Sequence, residues 1–260
     1  MALDLYPIRD LSLTVSMVRH FSDRLFEVQL HAEETLPPFK PGQFAQVLVK
    51  GTDEVFLRRP ISIYRYIGID TASFLIQDAG RGTHQLMQAQ VGDVWRVLMP
   101  LGNSFPEREG DWPLLVGGGV GVAPLLALGA RILKETDKKP TFLLGARSAS
   151  FFPDLEDFKA VGELLVTTED ASMGEKGFVT DHPILAAEPF SEIYTCGPTP
   201  MMKSVARWAK SRNIPCFASL ENVMGCGMGV CLCCVEPTVK GHKTVCNDGP
   251  VFDVNELLWE

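Results

Sequence analysis

The sequence predicts three consecutive units: a β-barrel or sandwich, a doubly wound α/β domain with a parallel sheet, and a small C-terminal segment organised by cysteines. Three observations carry this. Six short β-rich runs crowd residues 11–101. Strands alternate with helical patterns from about 108 to 214. Four of the seven cysteines then fall within nine positions of "MGCGMGVCLCCVEP" (224–237).

In the first unit, "SLTVSMVRHF", "LFEVQLHA", "QFAQVLVK", "ISIYRYI", "ASFLIQDA" and "VWRVLMPLG" are rich in β-branched and aromatic residues. Turn residues separate them, as in "PPFKPGQ", "GTDE" and "VGD", and only "GTHQLMQAQ" reads as a short helix. Several short strands at this spacing predict a barrel or sandwich. The second unit reads "PLLVGGG" as a buried strand, then the helix "APLLALGARILKET", the strand "TFLLGA" and the helix "FFPDLEDFKAV". The strands "ELLVTTED" and "EIYTCGP" and the helix "MMKSVARWAKSRN" complete it. Such alternation implies βαβ units. The expected boundaries are 1–107, 108–214 and 215–260, and the last piece is too small to fold around an apolar core alone.

The 260 residues, 46% of them hydrophobic, suit two or three small domains with real cores. A net charge of −8 gives nucleic-acid binding no electrostatic support. The start, "MALDLYPIRDLSLTVSMVRHFSD", is broken by Asp4, Arg9, Asp10 and Arg19. No apolar run approaches the ~20 residues of a membrane span, and no signal-peptide pattern is present, so the expected location is the cytoplasm, without a membrane partner. There thiols stay reduced, and an odd cysteine count cannot pair completely within the chain, which argues against a disulfide knot. Cys196 and Cys216 stand alone and read as packing.

Cys226, Cys231 and Cys234 follow C-x4-C-x2-C, with Cys246 eleven intervening residues further on. That is the plant-type spacing for a [2Fe–2S] cluster. "CVEPTVKGHKTVC" reads as a hairpin that returns Cys246 towards Cys234. Gly225, Gly227 and Gly229 let the backbone curl and aim N–H groups at sulfur. Cys233 falls outside the spacing. A structural zinc site is the alternative; it usually shows two C-x2-C knuckles, and only one is present.

"LLVGGGVGVAPLLALG" (114–129) is a strand, a turn of Gly117, Gly118, Gly119 and Gly121, and a helix with Pro124 in its first turn. Such a turn lets a pyrophosphate approach N–H groups at the positive helix end, or serves packing alone. "YTCGPTPMM" (194–202) is a second strand-to-helix turn, itself compatible with an ordinary Gly-Pro strand end. "FLRRPISIY" (56–64) sets Arg59 and Ser62 three apart at a strand start, where the arginine suits a bidentate phosphate contact or a solvated strand end. In "DAGRGTHQL" (78–86), a glycine turn precedes Thr83, a candidate helix N-cap and second anion site.

Taken in order, "RRPISIY", "GGGVGVAPLL", "TCGPTPMM", C-x4-C-x2-C and "VCNDGPVF" (245–252) resemble the electron-transfer subunits of class 1B dihydroorotate dehydrogenase, in the ferredoxin-reductase superfamily. The resemblance spans essentially the whole chain. It implies an N-terminal FAD-binding β-barrel, a Rossmann-like NAD-binding domain and a C-terminal [2Fe–2S] subdomain. Arg59, Pro60, Ile61 and Ser62 would lie along FAD, with Gly80, Gly82 and Thr83 at its pyrophosphate. Gly118, Gly119 and Gly121 would face the NAD phosphates, and Cys196, Gly197 and Pro198 the nicotinamide. Cys226, Cys231, Cys234 and Cys246 would bind the cluster. Arg147 in "GARS" is a candidate partner for the 2′-phosphate of NADP, yet the resemblance favours NAD. The implied partner is an FMN-containing catalytic subunit acting on orotate or dihydroorotate, in a heterotetramer of two of each. Related flavin subunits of ferredoxin:NADP oxidoreductases, hydrogenases and sulfide-linked complexes share this layout, so they are the alternative.

Overall fold

The computed structural model describes residues 8–50, 55–107, 110–187 and 190–259. The "GTDE" turn at 51–54 and the first seven residues, Asp4 included, lie outside them. Six antiparallel strands close the first unit: β1 (Arg9–Ser22), β2 (Leu25–His31), β3 (Phe44–Val47), β4 (Arg59–Tyr66), β5 (Thr71–Gln77) and β6 (Val94–Leu101). Their order is β1-β2-β5-β4-β3-β6, a closed barrel rather than a sandwich. Side chains alternate across each strand. Leu13 and Val15, Phe26 and Val28, Ala45 and Val47, Phe74 and Ile76, and Val97 and Met99 therefore fill one interior. Helix α1 (Arg81–Leu86) bridges β5 to β6 and sends Leu86 into that interior.

Seven strands form the second sheet, in the order β10-β9-β8-β7-β11-β12-β15. They are β7 (Pro113–Gly118), β8 (Thr141–Ala146), β9 (Glu163–Thr168), β10 (Glu175–Lys176), β11 (Glu192–Cys196), β12 (Cys216–Ser219) and β15 (Val251–Asp253). All pair in parallel except β15, which is antiparallel to β12. Four helices accompany them: α2 (Ala123–Thr136), α3 (Glu156–Val161), α4 (Ile184–Ala187) and α5 (Thr199–Ser211). Burial of Leu125, Leu128 and Ile132 fixes α2 on the sheet, each side chain contributing roughly 1.5–3 kcal/mol. A separate hairpin, β13 (Val235–Thr238) and β14 (Gly241–Thr244), follows the cysteines.

Several elements differ from the sequence reading, among them one helix and two strands. The helix expected over "FFPDLEDFKAV" begins only at Glu156, because Pro153 holds the chain extended and the Asp154 carboxylate accepts the Glu156 N–H at 3.1 Å. Strands β12 and β15, with only four and three residues, carry no clear alternation, and neither was anticipated. Through them the C-terminal segment shares the sheet, and Phe252 and Val254 pack with Ile193 and Val205. No described helix is long and apolar enough to cross a membrane.

Barrel and sheet are joined by packing and by charge. Tyr64 and Leu75 leave the barrel interior and bury against Leu125 and Leu128 of α2. Beside them Arg65 of β4 reaches Glu27 of β2 at 2.7 Å and Asp157 of α3 at 2.8 Å. The Glu27 side chain is fully buried, so removing its cation strands a charge. Arg65→Met is expected to cost roughly 3–5 kcal/mol, measured by urea unfolding. The double variant with Glu27→Gln should recover part of that loss.

Candidate functional site

Strands β7 and β11 lie side by side in parallel, with Cys196 opposite Gly117. β8 and β9 continue the sheet on one side, β12 on the other. The ends of β7 and β11 therefore mark the switch point of the sheet, where doubly wound folds place their ligands. The two glycine turns meet here almost without side chains. A Cβ on Gly121 would stand 2.5 Å from the Gly197 Cα. One on Gly197, with φ of +149°, would stand 2.8 Å from the Gly118 carbonyl oxygen. Gly119, with φ of +56°, has nothing within 4 Å of its Cβ direction and opens onto a cavity of about 600 Å³.

That cavity is bordered by Gly118, Gly119, Pro198, Arg147, Thr167 and Glu169, among others. Gly121 and Gly197 are not on its wall; they form the contact beneath it. Thr167 is buried with its hydroxyl unpartnered among the described residues. A polar hydroxyl of this kind, beside bare backbone at the start of a helix, suits a phosphorylated ligand. From "TTEDASMGEKGFVTD" (167–181), Thr167, Glu169 and residues 177–180 stand at this wall.

A second cavity, about 550 Å³, lies between barrel and sheet. Pro60, Ile61 and Ser62 of β4, Thr83 of α1 and Cys196 of β11 face it, with Phe44, Glu221, Asn222 and Met224. Gln77 borders both cavities. Burial above all, and then the Glu221 carboxylate, push the Cys196 thiol far above its ordinary range, so it stays a neutral S–H. Arg59 stands at the start of β4 with its guanidinium across Gly82, where a Cβ would be 2.3 Å from Nε. Its Nη1 donates to the backbone carbonyls of Leu57 at 3.0 Å and Arg58 at 3.5 Å. Among the described residues it has no carboxylate partner, unlike Arg58 and Arg65. A cation laid over a bare glycine next to this cavity fits a phosphate-bearing flavin.

Thr83 departs from the expectation. Gly80 is the N-cap of α1, and Thr83 sits at the third helical position. Its Oγ1 accepts the N–H groups of Ala79 at 2.8 Å and Gly80 at 3.1 Å, closing the turn. Gly80 itself is open, with no heavy atom within 4 Å of its Cβ direction. Gln77, Glu221 and Asn222 escaped sequence reasoning, because each stands at a strand end or in a loop without a spacing pattern.

The cysteine loop departs directly from this second cavity, two residues after Met224. Gly227 and Gly229, with φ of +73° and +80°, turn it back on itself. The Cys226 N–H donates to Cys231 Sγ at 3.4 Å, and the Cys231 N–H to Cys226 Sγ at 3.5 Å. The Cys246 N–H donates to Cys234 Sγ at 3.4 Å. The β13–β14 hairpin makes that second meeting possible, with the Val245 N–H on the Cys234 carbonyl at 2.9 Å. The Gly229 N–H, 3.1 Å from Cys246 Sγ, ties one pair to the other. Burial opposes ionisation of Cys226, but the N–H groups of Met228 and Cys231, the Cys231 thiol and the Val230 N–H bring it down to about 6. Burial, reinforced by the Cys234 thiol, pushes Cys246 up to about 12.

The thiols thus form two pairs, 226/231 and 234/246. Among the described residues no three metal-binding side chains gather as they would for one ion. Two pairs suit a binuclear iron–sulfur cluster, with two thiolates for each iron, better than a mononuclear zinc. Cys233 is exposed and takes part in none of these contacts.

Barrel, switch-point cavity and cysteine loop together define an oxidoreductase of the ferredoxin-reductase type that binds FAD, NAD and a [2Fe–2S] cluster. Residues 115–207 match the oxidoreductase NAD-binding domain, and residues 221–258 the iron–sulfur cluster binding domain of dihydroorotate dehydrogenase B. A solved NADH-dependent reduced ferredoxin-NADP oxidoreductase, described for flavin-based electron bifurcation, has a TM-score of 0.85 at 29% identity. That match covers 96% of this chain and 91% of the other. The ferredoxin reductase of carbazole 1,9a-dioxygenase gives 0.71 at 25% identity, over 81% and 68%.

Sequence relatives narrow the class. The electron transfer subunit of dihydroorotate dehydrogenase B (NAD(+)) from Shouchella clausii is 40% identical over 90% of this chain and 92% of its own. That from Bacillus caldolyticus is 38% identical over 95% and 97%. The chain belongs to this family of electron transfer subunits.

The glycine contact makes one expectation concrete. Gly121→Ala must part the two turns, at a cost of roughly 1–3 kcal/mol for overpacking. The NADH KM in a dye-reduction assay should rise on the order of tenfold, the equivalent of about 1.4 kcal/mol, with a lowered Tm.

Proposed function

We propose that the chain carries electrons between NAD(H) at the β7–β11 switch point and an FMN-containing catalytic subunit that interconverts dihydroorotate and orotate. The observation that carries this is continuity. Gln77 borders both cavities, and the wall of the second one, Leu220–Met224, runs straight into the cysteine loop. A flavin held by Arg59–Ser62 and Thr83 would supply the chemistry here, a hydride acceptor that can release electrons one at a time towards the cluster.

In this reading Gly118 and Gly119 present backbone N–H groups to the dinucleotide phosphates at the start of α2, over the floor made by Gly121. Pro198, with Gly197 and Cys196 behind it, bounds the nicotinamide. Arg59 clasps the FAD phosphates beside Gly80, Gly82 and Thr83, and Pro60, Ile61 and Ser62 lie along the flavin. Cys226 and Cys231 hold one iron, Cys234 and Cys246 the other. No side-chain acid or base is needed for hydride transfer, so these residues act by alignment. The neutral Cys196 thiol adds no charge beside the flavin. The division at 107 and 214 then separates cofactor roles, although β12 and β15 are shared with the sheet.

The partner surface is assigned to the rim of the cluster loop. Cys231 is exposed there, ringed by Met228, Val230 and Leu232, which are 45%, 79% and 62% exposed. An apolar rim around an exposed electron exit supports docking of another subunit. Two copies of each subunit, in the cytoplasm, complete the proposal. The second reading, a subunit serving ferredoxin-NADP chemistry, draws on the 0.85 structural match; the more similar sequence relatives favour the first.

Cys231→Ser should retain NADH-driven dye reduction and lose orotate-dependent NADH oxidation in the reconstituted complex. Unimpaired orotate-dependent oxidation in that variant would contradict the route. A wild-type chain that reduces ferredoxin but never supports orotate reduction would favour the second reading.

A further inference from the structure

Strand β3 reads Phe44, Ala45, Gln46, Val47. Alternation sends Ala45 and Val47 into the barrel and turns Phe44 and Gln46 outward. Outward is not into solvent at this place. Phe44 borders the second cavity, and Gln46 is 0% exposed. Its neighbour across the wall is the cysteine loop. A Cβ on Gly227 would lie 2.9 Å from Gln46 Cγ, 3.0 Å from Nε2 and 3.2 Å from Leu101 Cδ1.

Neither Nε2 nor Oε1 of Gln46 has a hydrogen-bond partner among the described residues. A buried amide left in this state is costly, and a leucine there, matching Leu101 beside it, would avoid the cost. The residue it touches identifies what can answer it. Gly227 follows Cys226 directly, and the next N–H, from Met228, is 3.3 Å from Cys226 Sγ. The amide therefore approaches the cysteine loop from the protein side, while Cys231 faces solvent.

We propose that, with the [2Fe–2S] cluster loaded, the Gln46 side-chain amide beside Gly227 donates the hydrogen bond it otherwise lacks to the cluster's sulfur shell, and so holds the cluster's reduction potential above what the loop's backbone donors alone would set. This rests on the reading that the four cysteines hold such a cluster. A donor on a ligating or bridging sulfur stabilises the extra electron of the reduced form. Gln46 would be a positioning and tuning residue, with no part in hydride transfer.

The test uses the whole cluster-loaded protein, with glutamine labelled by ¹⁵N at the side-chain amide. Pulsed EPR of the reduced cluster is expected to show one amide ¹⁵N coupling, lost in Gln46→Leu. EPR-monitored redox titration should show the cluster midpoint moved negative in Gln46→Leu and Gln46→Met, with the flavin midpoint unmoved. Absence of any such coupling in the wild-type protein overturns the proposal, even if both variants fail to fold. An unchanged cluster midpoint in both variants overturns it as well. Iron and sulfide analysis separates the two levels: a wild-type protein without iron defeats the cluster reading itself, whereas a loaded cluster without the coupling defeats only the role of Gln46.

Discussion

Two stretches of bare backbone hold this molecule's chemistry in place. Gly121 stands so close to Gly197, and Gly197 to Gly118, that a single methyl group on either would collide with main-chain atoms. The contact exists because β7 and β11 are adjacent parallel strands whose ends are in register. It brings two turns, nearly eighty residues apart in sequence, into one floor. The larger switch-point cavity opens above that floor, while Cys196, the last residue of β11, faces the neighbouring cavity. Glycine here is a packing requirement as much as a means of approaching phosphate.

From that floor the remaining geometry follows by short steps. Tyr64 and Leu75 press the barrel onto α2, and Arg65 joins Glu27 of the barrel to Asp157 of the α/β unit. The gap left between the two units is the second cavity. β12 then delivers the chain along its edge, so the cysteine loop begins where the cavity ends. The C-terminal segment has no core of its own to orient it. Its β15 strand and residues such as Phe252 borrow the sheet's core, which fixes the cysteines relative to everything upstream.

Much of this was legible in the sequence where a short-range rule applies. Barrel strands announce themselves by alternation, as in "ISIYRYI", and the βαβ units by apolar strands before amphipathic helices. C-x4-C-x2-C followed by a hairpin is a spacing rule, and the hairpin is there as β13 and β14. What escaped depends on distance in the fold. Gly121 reads as one more glycine of a phosphate turn until its neighbour Gly197 is seen. Thr83 looks like a cap until Gly80 takes that position. Pro153 and Asp154 shortened a helix that hydrophobic pattern alone extended. Gln46 resembles any outward polar residue on a strand, and only the loop lying over it removes the solvent.

The central claim is that one chain conducts electrons from a dinucleotide to a binuclear cluster. An anaerobic titration of the purified subunit with NADH, followed by absorbance and EPR without any partner, tests it most directly. The account predicts flavin bleaching, together with a reduced [2Fe–2S] signal that accounts for two irons per chain. Zinc in place of iron, or a flavin that bleaches while the cluster stays oxidised at every NADH concentration, would contradict it.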